Sequence, residues 1–174
     1  VLAVPQHVAR SMLPQLPLDH QPAERMTSTV AFIASEAPYN HARLLINEAW
    51  GSEGNDVVHV HVPTNLHPHP SGQHWVVATL LGRAALQPDT EAVKSELRAW
   101  FGEGVDGWEP LTTTTVRHAL PQTDPHHHQR MLDDVEIDGV LLAGDHRAHP
   151  SVQGTLQSAE RVLQHLNIPI PRRA

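Results

Sequence analysis

The stretch GVLLAGDHRAHPSVQGTLQSAERVLQHL, residues 139–166, decides how this chain is read. GVLLAGD, residues 139–145, is a short continuous apolar run of the kind buried in a parallel sheet. It closes on Gly144, where a missing side chain lets another group approach the backbone. Asp145 follows, just beyond the strand's C-terminal end, where ligands sit in open α/β sheets. A carboxylate in that place can accept hydrogen bonds from ribose-like or ribityl hydroxyls. SVQGTLQSAERVLQHL, 151–166, then has the spacing of an amphipathic helix. Its apolar side carries Val152, Leu156, Ala159, Val162, Leu163 and Leu166. The free N–H groups of its first turn favour an anionic or electron-rich partner. Gly154 lies in that turn at a cost in helix stability, which close approach of a flat ring or a neighbouring backbone would offset. The same residues fit a plain strand–loop–helix unit capped by Ser151 equally well.

Outward from this stretch, strand and helix periods alternate. VLAV, ending at Pro5, reads as a short buried strand, and HVARSML, 7–13, as a helix halted by Pro14 and Pro17. Residues 14–25 are a proline-rich connection. STVAFIASE (28–36) and ARLLINE (42–48) are strand candidates. In DVVHVHVP, 56–63, the alternation predicts Val58, Val60 and Val62 on one face and His59 and His61 on the other. QHWVVATLLG, 73–82, is a long apolar strand. After Pro88, DTEAVKSELRAWF (89–101) is a helix with Val93, Leu97, Trp100 and Phe101 at helical spacing, ended by Gly102 and Gly104. WEPLTTTTVRHALP, 108–121, is β-rich; TDPHHHQRMLDD links it to the opening stretch, and PIPRRA is a tail.

Several familiar chemistries fail on context. GEGVDG at 102–107 matches the dinucleotide pattern G-x-G-x-x-G, which needs a strand before it and a helix after it. Here the order is reversed, so the glycines read as a helix stop and turn. No G-x-S-x-G elbow is present, and Ser151 stands where a helix cap belongs, which removes a Ser–His–Asp hydrolase. The histidines form two groups, His59 and His61 with His67 and His69, and His126, His127 and His128 with His146 and His149. Neither has the tight helical spacing of a hydrolytic zinc site, and both read as solvated strand and loop histidines. No metal site is expected from them.

Composition narrows the function classes further. A formal charge of −7 and only 4% aromatic residues argue against a nucleic-acid or anionic-membrane partner. Protonating the 15 histidines would reverse the sign of that charge. The absence of cysteine removes disulfides, thiolate metal sites and a cysteine nucleophile, and fits a cytoplasmic protein. No apolar run approaches the roughly 18 residues needed to cross a bilayer. The chain begins with Val1 in what reads as the middle of a strand, so a piece of a longer protein is expected.

A resemblance ties these features together. GVLLAGDHRAHPSVQGTLQSAERVL resembles the C-terminal flavin-binding motif of the FAD-dependent amine oxidase, phytoene desaturase and protoporphyrinogen oxidase superfamily. That motif runs strand, AGD, short loop, then S-x-x-G-A-x-x-S-G and helix; Ala143, Gly144, Asp145, Ser151, Gly154 and Ser158 stand at matching places. Thr155 replaces the usual Ala and Ala159 the usual Gly. VLAVPQHVARSMLP is similar to the strand and helix that leave the FAD domain, and RHALPQ (117–122) to the A-x-P stretch upstream of the flavin motif. The family's N-terminal half, with its strand–G-x-G-x-x-G–helix, has no counterpart here.

The resemblance implies an α+β architecture. Residues 20–135 would form a substrate-binding domain, a mixed, mostly antiparallel sheet with flanking helices. Residues 1–19 and 136–168 would complete a Rossmann-like FAD domain whose remainder is a missing N-terminal half, with 169–174 a tail. It further implies FAD as cofactor, held through Gly144, Asp145, Ser151, Val152, Gln153, Gly154 and Thr155, and hydride transfer from a small or apolar substrate. In that arrangement Asp145 would contact a cofactor hydroxyl or phosphate side. The 152–155 helix start would lie against the flavin's pyrimidine edge. No residue stands out as a general base; His118 is a candidate for lining a substrate cavity, against a packing or surface role. Two other classes stay open: a non-enzymatic ligand-binding or interaction module, and a histidine-based metal binder.

Overall fold

The chain divides into two units, Met26–Arg117 and the paired segments Val1–Arg25 and His118–Ala174. The computed structural model describes residues 1–14, 24–122 and 135–170. Most of the expected 14–25 connection, the 123–134 link with its His126–His128 run, and residues 171–174 lie outside the described residues.

Met26–Arg117 is built on one face of a sheet. Strands β1 (Glu24–Ala34), β2 (Leu45–Ile46), β3 (Val57–His61), β4 (His74–Leu81) and β5 (Glu109–Pro121) lie in the order β2-β3-β4-β1-β5. β1 runs antiparallel to β4 from Thr27 opposite Leu81 to Ala34 opposite His74. β3 is antiparallel to β4, and β2 to β3. The architecture is therefore α+β with a largely antiparallel sheet, as the resemblance implies. Alternation along β1 buries Val30, Phe32 and Ala34. On β4 it buries Val76, Ala78 and Leu80.

Two short helices follow β4 in sequence. Helix α2 (Gly82–Leu86) starts at Gly82, the last residue of the run read as a strand. Helix α3 (Thr90–Phe101) starts where Pro88 and Asp89 predict it, with the Asp89 carboxylate accepting from the N–H groups of Glu91 and Ala92 at 2.9 and 3.1 Å. It buries Val93 and Leu97 against the sheet; fully burying a side chain such as Leu97 contributes roughly 1.5–3 kcal/mol. GEGVDG is a 3-10 turn between α3 and β5, not a phosphate loop.

Two expectations need correction here. β3 carries a bulge between Val57 and His59, which sets two residues against one on β4 and shifts the alternation. The buried set is therefore Val57, Val60 and Val62, while Val58 is only partly buried. The strand expected over 42–48 shrinks to Leu45–Ile46.

In the other unit, helix α1 (Gln6–Met12) follows Pro5. Strands β6 (Glu136–Ile137) and β7 (Val140–Leu141) form an antiparallel hairpin turned by Asp138 and Gly139, whose φ values are 47° and 78°. Leu2 pairs in parallel with Leu142: its N–H donates to the Leu141 carbonyl at 2.7 Å, and the Ala143 N–H donates back at 3.0 Å. The apolar run at 139–143 thus has one antiparallel and one parallel neighbour. Ala9 and Leu142 form a small core with Leu2, Val4 and Leu13 around it. Helix α4 (Val152–His165) buries Gly154, Ser158 and Val162. Of the expected apolar side Val162 is buried, whereas Val152 is 81% exposed and Leu156 55%.

Candidate functional site

The segment after β7 is shaped by its two glycines. Gly144 has φ 149°, and a Cβ there would lie 2.6 Å from the Cε1 and Nδ1 atoms of the His146 ring. His146 is buried in a single 3-10 turn, Asp145–Arg147, and neither ring nitrogen has a hydrogen-bond partner. Burial, and next the neighbouring Arg147 charge, push its imidazole down to about 4. At the start of α4, Ser151 Oγ accepts from the Gly154 N–H at 2.9 Å. A Cβ on Gly154 would sit 1.9 Å from the His149 carbonyl oxygen. The close approach that Gly154 permits is thus made by a neighbouring backbone. Ser158 Oγ joins the two halves, accepting from the Gly144 N–H and donating to the Thr155 carbonyl, both at 2.8 Å.

These elements wall a cavity of about 380 Å³. Gly144, Asp145 and Thr155 line it, joined by Gln6 from α1 and by Glu24 and His118 from the strand ends. Ser151, Val152, Gln153 and Gly154, expected beside them, do not line this cavity. Ser151 is the helix cap, Val152 and Gln153 are exposed, and Gly154 is buried against its own loop. Asp145 keeps 32% of its side chain accessible. Gln6 is the residue that sequence reasoning missed. It is 2% exposed, and both its Nε2 and Oε1 atoms are buried without a partner. An amide left in that condition costs about 1–3 kcal/mol unless something binds to it. Its only sequence signal was a polar residue directly after the V-x-A-x-P stretch.

Beside Gln6, two histidines converge on one carboxylate. His7 Nδ1 lies 3.1 Å from Glu24 Oε1, and His118 Nδ1 lies 2.5 Å from Glu24 Oε2. The His7 backbone N–H also donates to Glu24 Oε1 at 3.3 Å. The two imidazoles stack, with centroids 3.9 Å apart and planes 20° from parallel. Burial raises the Glu24 carboxyl, but its bonds to His7 and His118 outweigh this and hold it below the ordinary carboxylate range. His118 therefore stands on the wall of this cavity and pairs with Glu24. The strand histidines His59 and His61 have rings 6.3 Å apart, and burial pushes both below the usual imidazole range.

A second cavity of about 520 Å³ lies in Met26–Arg117, near Asp56 and Glu96. The Glu96 carboxylate is occupied by the backbone N–H groups of Asp56 and Val57 and by the Asn47 amide, at 2.9–3.3 Å. It serves as a clamp on the β2–β3 hairpin.

Neither a family model nor a curated protein sequence matches this chain. Solved structures do match it. A candidate protoporphyrinogen oxidase from Exiguobacterium sp. 255-15 superimposes with a TM-score of 0.63 at 16% identity, over 95% of this chain and 40% of that one. The likeness is one of fold. An oxidoreductase from Methanosarcina mazei gives a TM-score of 0.53 at 15% identity, over 91% of this chain and 37% of that one. A protein from Pyrococcus furiosus gives 0.57 at 16% identity, over 94% and 36%. The chain thus spans about two-fifths or less of the length of the structures it matches. Among the described residues, no helix is long and apolar enough to cross a membrane.

Proposed function

We propose that this chain is the C-terminal part of an FAD-dependent oxidoreductase of the amine oxidase and protoporphyrinogen oxidase type. In this reading Met26–Arg117 is the substrate domain, and the other unit completes an FAD domain whose nucleotide-binding half lies outside the sequence. The observation that carries it is the cavity where the AGD turn meets a buried, unpartnered Gln6 amide. Fold likeness to part of two chains named as oxidoreductases supports the same reading.

The residues present fit a flavin. Its pyrimidine edge alternates carbonyl oxygens with an N–H, and the Gln6 amide offers one donor and one acceptor to such an edge. The Asp145 carboxylate would accept from a cofactor hydroxyl, and Gly144 on the same wall leaves room for the His146 ring packed behind it. Thr155 brings the first turn of α4 to the cavity, where the helix dipole favours negative charge. A bound flavin would supply a hydride acceptor; the chain's own groups would position it and exclude water. Ser151, Gln153 and Gly154 then act by building the helix start, and Val152 by whatever covers it in the longer protein.

The test is made on the full-length parent protein. It is expected to purify with bound flavin, and Asp145→Ala and Gln6→Leu are each expected to weaken FAD binding about tenfold or more. A colourless parent that cannot be reconstituted with FAD would overturn the proposal.

A further inference from the structure

We propose that His7, Glu24 and His118 form a binding site for a divalent first-row transition metal ion of the zinc or iron(II) class. This reading draws on different side chains from the flavin proposal, although Glu24 and His118 line the same cavity. It also lies outside both groups of histidines that the sequence displays. His7 comes from α1, Glu24 from the first residue of β1, and His118 from near the end of β5. Their ligand atoms all lie within 4.8 Å of one another.

Donor type and spacing both suit such an ion. The two imidazole nitrogens are borderline donors, and with one carboxylate oxygen they suit zinc and its neighbours better than calcium or magnesium, which favour all-oxygen sites. An ion about 2.0–2.2 Å from each donor needs donors roughly 3–3.5 Å apart. His7 Nδ1 lies 3.1 Å from Oε1 and His118 Nδ1 2.5 Å from Oε2, so the nitrogens meet different oxygens of one carboxylate, and an ion would draw the two stacked rings round until both nitrogens converge on it. Glu24 is held ready for this. Its side chain is 12% exposed and its Oε1 is anchored by the His7 backbone N–H, so the carboxylate is fixed before any ion arrives. A buried carboxylate and two neutral imidazoles would leave a dication with a net single positive charge. Glu24 and His118 line the 380 Å³ cavity, so a further coordination position would open there to water or a small ligand. Three protein donors with one open position is the pattern of metal sites that bind exogenous ligands.

The experiment uses the full chain without a purification tag. It is dialysed against Zn²⁺ or Co²⁺, and bound metal is counted by mass spectrometry. About one tightly held equivalent is expected, with a visible Co²⁺ spectrum of low coordination number. Glu24→Gln and His118→Asn are each expected to weaken binding about tenfold or more. Replacing His126, His127 and His128 together with Asn should leave this equivalent in place. His118→Cys supplies a positive signal: the chain has no cysteine, so a thiolate-to-Co²⁺ charge-transfer band would place the ion at position 118. Binding lost with the 126–128 triple variant but kept in Glu24→Gln would assign the metal to the 126–128 histidines and overturn the proposal. So would well under a tenth of an equivalent in the parent chain, or folded His118→Cys protein without the thiolate band.

Discussion

Two residues of the 139–166 stretch carry opposite lessons about glycine and histidine. Alanine in place of a helical glycine ordinarily stabilises by about 1 kcal/mol. At Gly154 the new Cβ would meet the His149 carbonyl oxygen at 1.9 Å, a backbone atom that cannot swing aside. Gly154→Ala is therefore expected to destabilise by roughly 1–3 kcal/mol or more in denaturant unfolding, and a stabilised variant would show that the loop yields. His146 makes the complementary case. Its folded imidazole titrates at about 4 against an ordinary 6.5, because burial and then Arg147 disfavour the cation. Between these values the unfolded chain binds a proton that the folded chain refuses, so stability rises with pH across that window. The full effect is roughly 3 kcal/mol, lost as pH falls from above 6.5 towards about 4. His146→Leu should flatten this slope in urea titrations run at several pH values; an unchanged slope would assign it to other groups. That a glycine stood at 154 was plain in the sequence. That it faces the His149 carbonyl was not, because the contact depends on the backbone path of the loop before the Ser151 cap.

Elements were legible wherever hydrophobic period and punctuation agreed. Pro88 and Asp89 announced α3, the Ser151 cap announced α4, and the β-branched run announced β1. The departures have physical causes. In α4 the buried row is Gly154, Ser158 and Val162, spaced four apart: Gly154 packs on the His149 carbonyl, Ser158 accepts from the Gly144 N–H, and Val162 joins Leu141 and Ala143. Apolarity pointed instead to Val152 and Leu156, which are exposed in this chain. The β6–β7 hairpin was missed although its Asp138–Gly139 pair, between Ile137 and Val140, is a strong short-range hairpin signal. The bulge in β3 had no signal, since two adjacent valines satisfy either register. That ambiguity is testable. Val57→Ala, at a position with 0% exposure, should cost roughly 1–3 kcal/mol, whereas Val58→Ala should cost well under half as much. A larger loss at Val58 than at Val57 in thermal unfolding would mean that the bulge is absent and the simple alternation holds.

At the scale of the whole molecule, the two units differ in how much apolar surface they enclose. Met26–Arg117 is one continuous segment around a core that includes Phe32, Leu80, Leu97 and Trp108. The other unit joins two segments far apart in sequence around two small clusters, Ala9 with Leu142 and Leu141 with Ala143 and Val162. Local stability follows enclosed apolar contact, so the amides of Phe32 and Val76 should exchange with solvent far more slowly than those of Leu2 and Ala143. The Leu2 and Ala143 amides close the parallel bridge, and opening that bridge exposes little apolar surface. If the flavin proposal holds, FAD binding to the full-length parent should slow exchange across Leu142–Thr155, because a ligand stabilises the folded form of the region it occupies. Gln6 lies on the same cavity, so its neighbouring amides in α1 should slow in step with the AGD turn. Slowing confined to Met26–Arg117 would place any bound group elsewhere. Uniform protection of all these amides without ligand would contradict the division itself, since it would require the small clusters to hold their strands as firmly as the large core does.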